Sequence, residues 1–247
     1  MIQRRFQWAI GLWMFVAGAP ASVLAQHLTG HDVAVALGLI AADIALMPVD
    51  RSIAQGFQRP GLQSNTGIRR TAQFFSASSD PGAPFITGGL YLAGLVVHDR
   101  PVAALGLHAT EGVGMAAVMT ELLKGMVGRA RPRVDITAPH NFGFGRGFGN
   151  DNYASFPSGA ATAAFAIATV VSRDARHSWP HRARYAVPMA FAAATLVGLS
   201  RMYLNEHWAS DVVAGAGVGA LGGVLVNTFE QDHPDNWVDR RFLPAAR

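Results

Sequence analysis

The chain has 247 residues, half of them hydrophobic and only 15% charged, with a formal net charge of +4. That length suits one domain, with or without a leader, and is enough to bury a core. Cysteine is absent, which excludes disulfides, thiolate catalysis and cysteine metal sites. No basic run with interleaved aromatics argues for nucleic acid.

Met1–Ala25 reads as a secretory leader. Arg4 and Arg5 form a positive start, Phe6–Ala19 is apolar, and Val23-Leu24-Ala25 offers small residues for cleavage before Gln26. The alternative is an uncleaved first membrane helix. Cleavage would leave residues 26–247 as the working domain.

Six apolar, helix-favouring segments follow, at about Asp32–Val49, Pro84–Val97, Val102–Lys124, Ser158–Ser172, Ala186–Ser200 and Asp211–Asn227. Alanine favours helix, and the frequent glycines suggest close helix–helix contact. No alternating pattern competes, so the chain is predicted to be all-α, a single bundle of about six core helices. Asp50–Asp80 reads as a polar connection. Pro132–Pro157 reads as a flexible loop or as a rim over a site.

A spanning helix needs about 20 apolar residues, and Asp43, His108, Glu111 and Glu121 interrupt these runs at a cost in lipid. A soluble or peripheral periplasmic protein is therefore expected. The arginines at 173, 176, 182 and 184 pull the other way, as a cytoplasmic loop would.

Three short elements carry chemistry. In Lys124-x6-Arg131-Pro132, a seven-residue helical step returns to nearly the same face, so both cations could meet one anion before Pro132 ends the helix. In Pro157-Ser158-Gly159-Ala160, Ser158 stands where an N-cap would. A helix start offers free N–H groups to phosphate, and Gly159 permits close approach. In Ser200-Arg201-x5-His207-x3-Asp211, the four-residue spacing would put a carboxylate beside an imidazole on one helix face. Such a partner fixes the imidazole tautomer and frees the other nitrogen as a nucleophile. Singly, these read as a solvated helix end, a capped helix and a tied-down His–Asp pair.

Together, in this order and spacing, they resemble the signature of the type 2 phosphatidic acid phosphatase superfamily, which includes bacterial acid phosphatases and vanadium haloperoxidases. The resemblance implies that His207 attacks phosphorus and Asp211 orients it. It further implies that Lys124, Arg131, Ser158, Gly159 and Arg201 bind phosphate oxygens. It implies no cofactor and no metal in the reaction, because the cations neutralise the developing charge. The expected partner is phosphate, a phosphorylated small molecule or a phosphorylated lipid.

One position departs from the pattern. Ala160 stands where the family places its general-acid histidine. General acid–base help is typically worth about 10²–10⁴-fold, so phosphate binding is expected to survive better than cleavage of alkyl esters. A non-catalytic phosphate binder and a vanadate-dependent haloperoxidase are the alternatives.

Overall fold

Small residues set how closely the helices of this chain approach one another. The computed structural model describes residues 30–234 and 236–244, so the leader expected at Met1–Ala25 lies outside the described residues. The described chain runs through α1 (Gly30–Leu46), α2 (Asp50–Phe57), α3 (Pro60–Gln63), α4 (Thr66–Ser79), α5 (Gly82–Val96), α6 (Arg100–Val127), α7 (Gly159–Ser178), α8 (Pro180–Tyr203), α9 (Ala209–Asp232) and α10 (Trp237–Phe242). No strand occurs among the described residues. A single antiparallel bridge joins Arg129 to Phe142. The fold is all-α, as expected.

Helix α9 is the central member, packed along α7, α6 and α1, while α5 pairs with α6 and α8 covers α7. The α7–α9 contact depends on glycine. A Cβ at Gly215 would stand 2.5 Å from the Ser158 carbonyl oxygen, and one at Gly219 would strike the Thr162 carbonyl. Close backbone approach of this kind replaces bulky side-chain packing with dispersion contact along the whole helix.

The six core helices sit where the apolar segments predicted them, all but α7 starting earlier, while α1 and α5 stop short of the predicted Val49 and Val97. Helix α8 starts at Pro180 and continues through Pro188. The Asp50–Asp80 segment is different from expectation, because it folds as α2, α3 and α4 rather than as a polar connection. Asn65 caps α4 by accepting from the Ile68 N–H at 3.1 Å, and Pro60 sits in the first turn of α3, where its missing N–H costs nothing. Turn-type residues at helix starts had masked the helices behind them.

Three of the four residues expected to forbid a membrane face inward, and the fourth, Glu121, is exposed at a helix end. Asp43 and His108 are buried, one oxygen of Glu111 is wholly enclosed, and Glu121 pairs with Lys124 at the helix end. The outside is apolar instead: Phe85, Leu92 and Val96 on α5 and Met189, Leu196 and Leu199 on α8 are exposed. Three described helices, Arg100–Val127, Pro180–Tyr203 and Ala209–Asp232, are long and apolar enough to cross a membrane.

Candidate active site

The three signature elements meet at one end of the bundle. It is formed by the C-terminal ends of α6 and α8 and the N-terminal ends of α7 and α9. Lys124 lies in the last turn of α6 and Ser158 caps α7. A Cβ on Gly159 would stand 3.0 Å from Lys124 Nζ, so the second element closes against the first. Arg201 occupies the last turn of α8.

Two residues reach the site by a different route from the one their spacing implied. Arg131 is not on a helix. Helix α6 ends at Val127, and Gly128 turns the chain left-handed at φ 58°, where glycine has no steric penalty. Arg131 then follows on an irregular segment, its N–H bonded to the Asn152 carbonyl at 2.9 Å. His207 likewise precedes α9, whose first residue is Ala209. Asp211 sits in the first turn of that helix and accepts from the Trp208 N–H at 2.8 Å, so its side chain satisfies a free donor at the helix start.

The orientation of His207 follows from hydrogen-bond roles. Its Nδ1 lies 2.7 Å from the Ser155 carbonyl oxygen, which can only accept, so Nδ1 carries the proton. The Nε2 lone pair is thereby exposed to the site, 3.2 Å from an Arg131 Nη1. Asp211 is further away, with Oδ2 at 3.8 Å from Nδ1. Its oxygens are held by Ser155 Oγ at 2.5 Å and Arg129 Nη1 at 2.6 Å. Asp211 thus supplies a negative field behind the ring and anchors the Ser155 segment, and the Ser155 carbonyl fixes the tautomer. Burial pushes the His207 imidazole down to about 3, reinforced by the charges of Arg131 and Arg201 and only partly opposed by Asp211. The ring is neutral at neutral pH, as a nitrogen nucleophile must be.

The cations are held by carboxylates. Arg131 donates to Asp151 Oδ1 at 2.9 Å and to Glu206 Oε2 at 3.1 Å. Glu206 Oε2 also lies 3.3 Å from Arg133 Nε and 3.8 Å from Arg201 Nη2. Arg201 further donates to Ser76 Oγ on α4 at 2.5 Å, and its buried Nε has no partner. Partial burial works against ionisation of Asp151, but Arg131 and Arg133 hold its carboxyl below the usual range. A single glutamate oxygen among three arginines occupies the kind of position a tetrahedral oxyanion takes.

Sequence reasoning had missed the residue that assembles the site. Arg129 is fully buried. It donates to Asp50 Oδ2 at 2.8 Å, Asp211 Oδ1 at 2.6 Å, Ser210 Oγ at 2.7 Å and the Pro139 carbonyl at 2.9 Å. Asp50 completes the knot by accepting from the Ser210 N–H at 3.0 Å. The Trp208 indole, also fully buried, donates to the Ala130 carbonyl at 2.9 Å. Nothing in the sequence separates Arg129 from Arg131 two residues on, and Asp50 is 79 positions distant. The Phe142–Gly149 loop folds back onto α6, its Phe148 ring against Gly125, and so forms a packed rim to the site. Ala160 is buried in the first turn of α7. Its carbonyl accepts from Ser79 Oγ at 2.6 Å, which brings the end of α4 over this position.

A helical bundle with this arrangement of lysine, arginines, capped helix start and paired histidine defines a protein of the type 2 phosphatidic acid phosphatase kind. The chain belongs to the PAP2 superfamily, whose family model matches residues 105–235. It is 44% identical over 73 residues to a lipid A 1-phosphatase of Porphyromonas gingivalis, covering 29% of this chain and 15% of that protein. It is also 32% identical over 133 residues to a lipid A 1-phosphatase of Rhizobium johnstonii, covering 50% of this chain and 47% of that protein. The chain thus spans less than half the length of these two relatives. The crystal structure of Aquifex aeolicus LpxE shares the fold, with a TM-score of 0.50 at 22% identity over 74% of this chain and 94% of that one.

Proposed function

We propose that the chain is a metal-independent phosphatase acting on a lipid phosphate monoester at the outer face of a bacterial inner membrane. The observation that carries this reading is the neutral His207 ring. Its Nδ1–H is committed to the Ser155 carbonyl and its Nε2 lone pair lies beside Arg131. In the proposed reaction, Nε2 attacks phosphorus in line while Lys124, Arg131, Arg201, Ser158 and the Gly159 N–H hold the non-bridging oxygens. The P–O ester bond breaks, and the leaving alkoxide takes a proton from water because position 160 carries no acid. Water then cleaves the phosphohistidine, releasing phosphate and regenerating the neutral ring.

A lipid substrate is supported by an apolar groove of about 480 Å³ lined by Phe57, Ile68, Phe75, Leu196, Leu199 and Tyr203. It abuts the helix that carries Arg201. The two lipid A 1-phosphatase relatives favour the same substrate class. If α1 and α5–α9 all span, the site lies at one surface and the α7–α8 connection at the other. That connection carries Arg173, Arg176, Arg182 and Arg184, and positive loops stay in the cytoplasm. On that condition the site would face the periplasm, in place of the soluble form expected from the sequence. The same condition puts Gly30 on the cytoplasmic side, which disfavours leader cleavage before Gln26.

The test is phosphate release by the native chain and by Ala160→His, in detergent, on lipid A, phosphatidate and aryl phosphate. Hydrolysis by the native chain should favour the aryl leaving group. The histidine variant should gain about 10²–10⁴-fold on the alkyl esters. No release of phosphate from any substrate by either form, with phosphate binding retained, would replace the enzyme by a phosphate-binding family member.

A further inference from the structure

A second polar cluster lies at the other end of the bundle. His108 is sixteen residues before Lys124 on α6, about 24 Å along the helix axis, so it has no part in the phosphate cradle. It meets Asp174 from the end of α7, Glu230 from the end of α9 and Asp239 from α10. His108, Glu230 and Asp239 are each more than nine-tenths buried.

Hydrogen-bond roles again fix the orientation of the ring. His108 Nδ1 lies 2.9 Å from Asp174 Oδ2, and a carboxylate accepts, so Nδ1 carries the proton. Asp174 is itself fixed by the Asn227 amide at 2.5 Å. With Nδ1 so committed, Nε2 faces two more carboxylate oxygens, Glu230 Oε2 at 3.7 Å and Asp239 Oδ1 at 3.6 Å. These separations exceed hydrogen-bond length. His108 Nε2, Asp239 Oδ1 and Glu111 Oε2 are all enclosed and have no hydrogen-bond partner. Carboxylates gathered around one ring repel one another unless a proton or a metal ion stands between them, and burial strengthens that repulsion. A cation at their centre converts the repulsion into ligation.

We propose that His108, Glu230 and Asp239, with Glu111 beside them, bind one divalent metal ion of the zinc or manganese kind. The three ligand atoms lie within 4.8 Å of one another. Ligands about 2.0–2.1 Å from a tetrahedral ion stand roughly 3.3 Å apart, so the two His108 contacts would close by a few tenths of an ångström and the Glu230–Asp239 pair by at most about 1.5 Å. One imidazole with carboxylate oxygens suits these ions better than a soft thiolate-seeking metal. The Asp174–His108 pair is the outer-shell carboxylate that metal-bound histidines regularly carry. The site is also positioned from outside. Asn236 caps α10 by accepting from the Val238 and Asp239 N–H groups, while its amide donates to Glu230 Oε2 at 2.6 Å. The ion would clip α10 onto α6 and α9, a structural role independent of the phosphatase reading.

The test uses the full chain, tag-free and in detergent, stripped with EDTA, incubated with zinc or manganese chloride, and desalted. Elemental analysis should then find one ion per chain. The melting temperature should rise by several degrees and fall again with EDTA. Asp239→Asn and Glu230→Gln should each lose at least nine-tenths of the retained metal and the whole of the shift. No retained ion, or equal retention by native chain and variants, would overturn the proposal, leaving a cluster held by shared protons. If the variants do not fold, X-ray absorption of the metal-loaded native chain decides. Imidazole nitrogen with carboxylate oxygen at about 2.0–2.1 Å supports the site, and a shell of water alone refutes it.

Discussion

Replacing Arg129 by glutamine should damage the protein more than replacing any cation of the phosphate cradle. The guanidinium faces two carboxylates, Asp50 and Asp211, and all three side chains have no solvent exposure. Glutamine is neutral and too short to reach both acids. Removing one partner of a buried ion pair costs about 3–5 kcal/mol, a large part of the roughly 5–15 kcal/mol that holds a domain folded. At about 2–4 °C per kcal/mol for a chain of this size, the melting temperature should fall by roughly 6–20 °C. Scanning fluorimetry of the detergent-purified chain measures this directly. The decisive comparison is the double variant Arg129→Gln with Asp50→Asn. Neutralising Asp50 removes one of the two stranded charges, so the double variant should melt above the single arginine variant. A melting loss under about 3 °C for Arg129→Gln, or additive losses in the double variant, would refute the claim that this ion knot assembles the site.

Two further outcomes concern the site itself. The folded-state His207 ring titrates at about 3, against about 6.5 in an unfolded chain, so the unfolded state binds the extra proton first. The linked stability is fully present above pH 6.5, declines as pH falls below it, and levels off only near pH 3. At pH 5 the loss should be about 2 kcal/mol, and His207→Asn should remove that share of the acid destabilisation in urea titrations run from pH 7 to 5. Glu206→Gln removes the carboxylate that occupies the arginine cluster. Inorganic phosphate should then inhibit roughly fivefold more strongly, equivalent to ~1 kcal/mol, and weaker inhibition would show that Glu206 orders the arginines rather than competing with the substrate.

The sequence announced the site's chemistry better than its geometry. Motif spacing identified Lys124, Arg131, Ser158, Arg201, His207 and Asp211, and the structure brings them to one end of the bundle. Helical periodicity misplaced two of them. Gly128 and the turn through Asn205 break the helices just before Arg131 and His207, and a left-handed φ at either residue is invisible to a pattern of apolar spacing. Arg129 and Asp50 were illegible for another reason. Their importance lies in a pairing across the fold, and a buried arginine looks like any other arginine until its partners are known. Ser158 was legible because a cap depends on its own neighbours.

The ion knot also explains how the chain can carry alanine at position 160. Arg129 binds together α2, the start of α9 and the loop after α6. Position 160 is attached to its surroundings through its main-chain carbonyl to Ser79. On the proposed mechanism a change at 160 acts on the proton of the leaving group, whereas a change at 129 acts on the ion pairs that hold α2 to α9.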